Sequence, residues 1–85
     1  MLILFHRNFK KGIKKQPKKI QIKFKEQLEI FRKDPYNYLL NNHALSGKFL
    51  GTRSFDVTGD VRVHYEETGD GVELIKIGTH SELYG

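Results

Sequence analysis

An 85-residue chain is long enough for one small domain, spanning residues 1–85, and too short for two; without cysteine it forms neither disulfides nor thiolate metal sites. The net charge of +5 conceals an asymmetry, because residues 1–33 hold eleven Lys and Arg against Glu26 and Glu29, a charge of +9, whereas residues 34–85 carry four against eight, a charge of −4. Such a basic half suits a polyanion, nucleic acid ahead of a membrane because no long basic amphipath dominates, or it is a solvated face that keeps a small protein soluble.

The opening run Met1-Leu2-Ile3-Leu4-Phe5 is apolar but stops at His6 and Arg7, short of a signal-peptide core or a spanning helix. It reads as a first strand of a soluble protein, with a reducing cytoplasm as the expected compartment. Phe9 to Lys15 predicts a short helix interrupted by Gly12, and Pro17 suits the first turn of a second. Ile20, Phe24, Leu28 and Phe31 recur at helical spacing and make one apolar stripe. The alternation of Ile20, Ile22 and Phe24 fails at Glu26, so helix wins over strand. Asp34-Pro35 ends it, because the residue before proline is pushed out of helical geometry.

Residues 36–47 predict a loop with about one helical turn. Strands follow over Phe49 to Val57, Val61 to Glu66 and Val72 to Gly78, separated by Thr58-Gly59-Asp60 and Thr68-Gly69-Asp70-Gly71. That is an antiparallel meander. Its first hairpin sets Val57 opposite Val61 and Phe55 opposite Val63, which keeps the apolar set together. Asp56 then faces Arg62 and Ser54 faces His64, and these four polar residues share the other face as a working surface or an ordinary solvated one.

None of His6, His43, His64 and His80 stands at zinc-ligand spacing from a second ligand. Gly69-Asp70-Gly71 lies between strands as a hairpin turn, not a phosphate loop, and Ser46, Ser54 and Ser81 lack a nucleophile's context. Acid and base chemistry with basic side chains remains, and neither a metal nor a cofactor is expected.

Four segments, His43-Ala44-Leu45-Ser46-Gly47, Leu50-Gly51-Thr52-Arg53-Ser54-Phe55-Asp56-Val57, Asp60-Val61-Arg62-Val63-His64-Tyr65 and Ile77-Gly78-Thr79-His80-Ser81-Glu82-Leu83-Tyr84-Gly85, resemble in order and spacing the RelE/ParE toxin superfamily, above all its YafQ-type branch. The likeness covers residues 28–85 by motif and the basic amino-terminal third by element order. It implies an α+β fold, an amino-terminal strand and two helices packed on a curved antiparallel sheet. It also implies a toxin of a type II toxin-antitoxin pair, a metal-independent endoribonuclease that cuts messenger RNA, generally on the ribosome. The expected partners are an antitoxin, acidic or amphipathic where it wraps the basic face, and the RNA.

By the same resemblance His43, Asp60 and His80 belong to the active site, Arg62 matches a phosphate-contacting arginine, and Tyr84 matches the terminal aromatic. The chain departs from the branch at Asp56, which stands for an active-site histidine, at Val61 for a tryptophan and at Lys76 for an arginine. RNA cleavage through the 2′-hydroxyl needs a base, an acid and cations against the phosphorane charge. His80 is expected as general acid or base with His43 or Asp60 as counterpart. Arg62, Arg53 and Lys76 would stabilise phosphate, Tyr84 would stack on or orient a nucleotide, and Asp56 is a candidate base or a partner for Arg62.

Plainer readings accompany these expectations: His43 packs a loop, Asp60 serves the hairpin, Arg53 lines the rim, and Leu83 and Tyr84 anchor the tail. His6 is expected to be structural, and His64 is left unassigned. The rival functions are a ParE-like toxin that poisons gyrase by binding, and a catalytically weak RNA-binding relative.

Overall fold

The computed structural model describes residues 1–85. In chain order it contains β1 (Leu2–Phe5), α1 (Arg7–Lys15), α2 (Lys18–Lys33), β2 (His43–Ala44), β3 (Arg53–Asp56), β4 (Val61–Glu67), β5 (Gly71–Thr79) and α3 (His80–Tyr84). The five strands form one sheet in the order β1-β5-β4-β3-β2. All neighbours run antiparallel except β1, which pairs in parallel with β5, so the expected antiparallel sheet is mixed at that edge.

The predicted stripe on α2 is the one that meets the sheet. Phe24, Leu28 and Phe31 are buried with Ile20 packed beside them, and Phe31 stacks on Phe55 at 4.9 Å and meets Tyr65 edge-on at 5.1 Å. α1 runs unbroken through Gly12, contrary to the expected interruption. A Cβ at Gly12 would lie 3.1 Å from both the side chain and the carbonyl oxygen of Ile77, so the glycine lets the helix approach β5. His6 is structural as expected: its Nδ1 accepts the Asn8 N–H at 2.9 Å and caps α1.

The hairpin register holds, with Phe55 opposite Val63, Asp56 opposite Arg62, Ser54 opposite His64, and the Val57 N–H bonded to the Val61 carbonyl at 2.8 Å. Between β4 and β5 the register slips at His64/Tyr65, so that His64 pairs with Lys76 but Tyr65 with Leu74. The extra residue, Ile75, returns Leu74 and Val72 to the helix-covered face.

Two expectations fail locally. The long strand from Phe49 shrinks to Arg53–Asp56, because Gly47 (φ 63°) and Gly51 (φ 93°) take left-handed conformations and Gly47–Phe49 closes a 3-10 turn. Residues 36–47 contain the expected helical turn, Tyr38–Leu40, but also β2, which the sequence reading missed. The carboxyl-terminal segment is helical, and with Phe49 it covers the face of the sheet opposite α1 and α2.

Candidate active site

Residues paired directly across strands share a face. His43 pairs with Ser54, Ser54 with His64 and His64 with Lys76, so one row crosses β2, β3, β4 and β5 on the face turned away from α1 and α2. The neighbouring row is Asp56, Arg62 and Gly78, and beyond it Val61 pairs with Thr79. Asp60 and His80, each one residue outside that last pair, flank the same end of the sheet.

The Gly78-Thr79-His80 segment is built to turn the chain back over this face. A Cβ at Gly78 would stand 3.1 to 3.6 Å from Glu82 and Leu83 atoms, so glycine admits the fold-back. The Thr79 hydroxyl accepts the Glu82 N–H at 3.2 Å while the Glu82 carboxylate accepts the Thr79 N–H at 2.7 Å, a reciprocal cap that starts α3. Leu83 is buried, and His80 and Tyr84, four residues apart, bring their rings to 4.7 Å. The tail is therefore docked and also carries an exposed imidazole.

At the centre of the row His64 is only 2 % exposed. Its Nε2 lies 2.8 Å from the Tyr84 hydroxyl, and the rings of Phe49 and Tyr84 meet it edge-on at 5.6 and 5.1 Å. Burial, and next the positive charges of Lys76, His43 and Arg62, lower its pKa from 6.5 to about 4, so it is neutral at pH 7. Ser54 beside it has a fully buried hydroxyl with no hydrogen-bond partner. At its centre, at Ser54 and His64, the polar face is thus not a solvated one.

His43 is held by a 2.9 Å contact between Nδ1 and the Asn41 carbonyl oxygen. Since a carbonyl only accepts, Nδ1 carries the hydrogen and Nε2 is left for a ligand. Asp56 does meet Arg62 across the strands, Oδ1 to Nε at 3.5 Å, too long for a direct hydrogen bond, and both atoms are otherwise unpartnered. Asn41 donates to the second carboxylate oxygen of Asp56 at 3.4 Å. Asp60 is exposed at the hairpin tip, its N–H bonded to the Thr58 hydroxyl at 3.3 Å, and Lys76 is exposed beside His64 in the row.

Arg53 lies elsewhere. Strand alternation puts it on the helix-covered side with Phe55, where its Nε donates to Asn42 Oδ1 at 3.0 Å and its guanidinium lies 5.3 Å from the Tyr36 ring centre. Asn42 in turn donates to the Tyr65 hydroxyl at 2.7 Å, a phenol whose pKa burial pushes up.

His64 and Phe49 enter the site without a local sequence signal, since strand patterning gives neither of them a role there. The Thr79-x-x-Glu82 spacing was the available sign that the tail is a capped helix able to cover them. No three His, Asp or Glu side chains converge as a metal cage requires.

The model of a family described as bacterial toxin of type II toxin-antitoxin system, YafQ, matches residues 2–85. No curated protein matches the sequence. Among solved structures, YafQ from E. coli strain BL21(DE3) is similar with a TM-score of 0.84 at 23 % identity, covering 99 % of this chain and 98 % of that one. The E. coli DinJ-YafQ toxin-antitoxin complex gives 0.74 at 24 % over 99 % and 97 %, and the RelB-RelE antitoxin-toxin complex of Methanococcus jannaschii gives 0.76 at 21 % over 95 % and 94 %. These likenesses establish a RelE-like α+β fold, and with the family match running from Leu2 to Gly85 this chain belongs to the YafQ family of bacterial type II toxin-antitoxin toxins.

Proposed function

We propose that the protein is a metal-independent endoribonuclease that cuts messenger RNA, on the ribosome, using the 2′-hydroxyl beside the scissile phosphate as nucleophile. One observation carries this reading: His43 starts the row that runs through Ser54 and His64 to Lys76, Arg62 lies in the row beside it, and the tail that carries His80 folds over the same face, its His80 ring 4.7 Å from Tyr84 and the Tyr84 hydroxyl 2.8 Å from His64. β2 and β4 are two strand spacings apart, about 10 Å, which leaves room for a phosphodiester between His43 and the tail that carries His80.

One imidazole removes the 2′-hydroxyl proton and the other protonates the leaving 5′-oxygen, giving a 2′,3′-cyclic phosphate and a 5′-hydroxyl end. An unperturbed histidine pKa near 6.5 suits either role. His80 is one partner and His43 the other, with Asp60, at the same end of the sheet as His80, as the alternative counterpart. Arg62 and Lys76 meet the phosphorane charge, Lys76 as a point charge without a bidentate fork. Tyr84 presents its ring to a base or sugar. Asp56 works by holding Arg62 rather than as a base, and Arg53 works by holding Asn42 under Tyr65.

The partner that restrains it is an antitoxin with acidic segments. Support comes from the +9 charge of residues 1–33 and from relatives solved as toxin-antitoxin complexes. The test is expression of the wild type and of His80→Ala, with primer extension on messenger RNA and a supercoiling assay. Discrete cuts lost in His80→Ala are expected; inhibited supercoiling over intact RNA would instead mean a gyrase poison.

A further inference from the structure

We propose that His64 is the positioning residue of this site: its imidazole fixes the Tyr84 hydroxyl and so holds α3, with His80 on it, over the row. The proposal rests on reading that face as the ribonuclease site.

α3 has five residues and begins at the catalytic candidate itself, so its own backbone hydrogen bonds are too few to keep it in place. Three contacts fasten it: the Thr79/Glu82 cap at its start, Leu83 in its middle, and at its end the 2.8 Å bond from Tyr84 to His64. Of these only the last ties the helix to the centre of the row. The rings of His64, Tyr84 and Phe49 meet pairwise between 5.1 and 5.6 Å, so the phenol is clamped edge-on as well as bonded. Tyr84 in turn lies 4.7 Å from His80, which makes the distance from the sheet to His80 depend on where Tyr84 rests.

The direction of the hydrogen bond follows from the chemistry of the two groups. A phenol is the better donor and an imidazole nitrogen the better acceptor, so the Tyr84 O–H donates to Nε2 of a neutral ring. Burial keeps the ring neutral, and the basic groups around it act in the same direction, Lys76 from β5, His43 from β2 and Arg62 on its own strand, while Ser54 from β3 carries no charge. A ring that takes a proton only near pH 4 is a poor proton store at neutrality. Its use here is to accept a hydrogen bond and orient the phenol, not to shuttle a proton.

The full-length protein tests this with three readouts. In nitrogen-15 spectra of the histidine rings, the His64 Nε2 resonance should shift in Tyr84→Phe. Amide hydrogens of residues 81–85 should exchange faster in His64→Leu, which keeps the bulk but removes the acceptor, and near the wild-type rate in His64→Gln, which retains an acceptor oxygen. Messenger RNA cleavage by His64→Leu should fall about tenfold in kcat, the rate equivalent of one hydrogen bond, with KM changed by less than about twofold. His64→Gln should recover most of that loss, and adding Tyr84→Phe to His64→Leu should cost nothing more.

Unchanged exchange in His64→Leu, an unmoved Nε2 resonance in Tyr84→Phe, or equal losses in His64→Leu and His64→Gln would each overturn the assignment. If the wild type cuts no RNA, the ribonuclease reading falls, and the spectra and exchange rates still decide whether His64 positions α3. Should the His64 variants fail to fold, Tyr84→Phe, altered at a half-exposed ring, carries both of those readouts.

Discussion

β3 and β4 bury side chains on both of their faces, one by packing and the other by enclosure of polar groups. On the helix side, Phe55, Val63 and Tyr65 are fully buried against Phe31 and Leu28. On the other side, Ser54 and His64 are 0 % and 2 % exposed, yet Ser54 lacks a hydrogen-bond partner and His64 is surrounded by positive charge. Burial of apolar rings stabilises by about 1.5 to 3 kcal/mol each, whereas a buried hydroxyl left unpaired costs about 1 to 3. The same strands therefore carry a face that folds the protein and a face that weakens it, and only the second has the chemistry of a site. On the proposed reading of that face as the site, the difference marks where function is bought with stability.

The largest effect that would break this contrast is on the packed face. Phe31→Ala removes a ring that is 0 % exposed and meets both Phe55 and Tyr65, and should cost about 3 to 5 kcal/mol in urea unfolding. For a domain of this size that is a large part of total stability. A loss below about 1 kcal/mol would mean that the helix face is not the source of the fold.

Next in size is a pH dependence that belongs to the polar face alone. His64 binds its proton at about pH 4 in the folded protein and near 6.5 when unfolded. Between those values the unfolded chain holds more protons, so unfolding free energy rises with pH there; stability is fully present above 6.5 and is lost as pH falls toward 4. A fall from 6.5 to about 4 corresponds to roughly 3 kcal/mol. His64→Leu should flatten this part of the curve, whereas Phe31→Ala should lower the curve without changing its slope. Chemical denaturation at stepped pH distinguishes the two.

A smaller effect is expected at the cap. Thr79→Ala removes the hydroxyl that accepts the Glu82 N–H and should cost about 1 kcal/mol. Amide exchange in residues 80–85 should rise while that of β3 and β4 stays unchanged. If exchange rises throughout the sheet instead, the tail is part of the core and the two faces are not separable.

Most of the packed face is legible in the sequence, because a 3.6-residue stripe and a period-two alternation each specify one buried side. Phe24, Leu28, Phe31, Phe55 and Val63 are all where the periodicities put them. The hairpin register was readable too, since one choice of loop keeps the apolar residues together. The parallel pairing of β1 with β5 was not, because Leu2 and Gly71 are nearly the whole chain apart and no local pattern records their contact. Phe49 was misread because the apolar spacing continues through it while Gly47 and Gly51 turn the backbone away. His64 was passed over for a related reason: register puts it opposite Ser54, but its burial depends on α3 folding back over it. Arg53 and Arg62 show the limit of residue type as a guide, since one parity step sends the first to Asn42 and the second to Asp56.

The smallest effect is also the one that bears most directly on the departure at Asp56. Its carboxylate lies 3.5 Å from Arg62 with side chains 21 % and 26 % exposed. A partly exposed pair of this kind contributes about 1 kcal/mol at most, so Asp56→Asn should leave the unfolding curve nearly in place. The consequence for an anion is larger, because the carboxylate competes with phosphate for the guanidinium and adds like charge beside it. Asp56→Asn removes that charge and keeps the shape. RNA affinity should rise a few-fold, and it should fall below the wild type in Arg62→Gln. Filter binding to a messenger RNA fragment at two salt concentrations measures both, and the salt slope should be shallower in Arg62→Gln if its guanidinium contacts phosphate. If Asp56→Asn instead binds RNA as the wild type does and cleaves it far more slowly, then Asp56 acts on a proton, and the polar face contains a base that its pairing with Arg62 conceals.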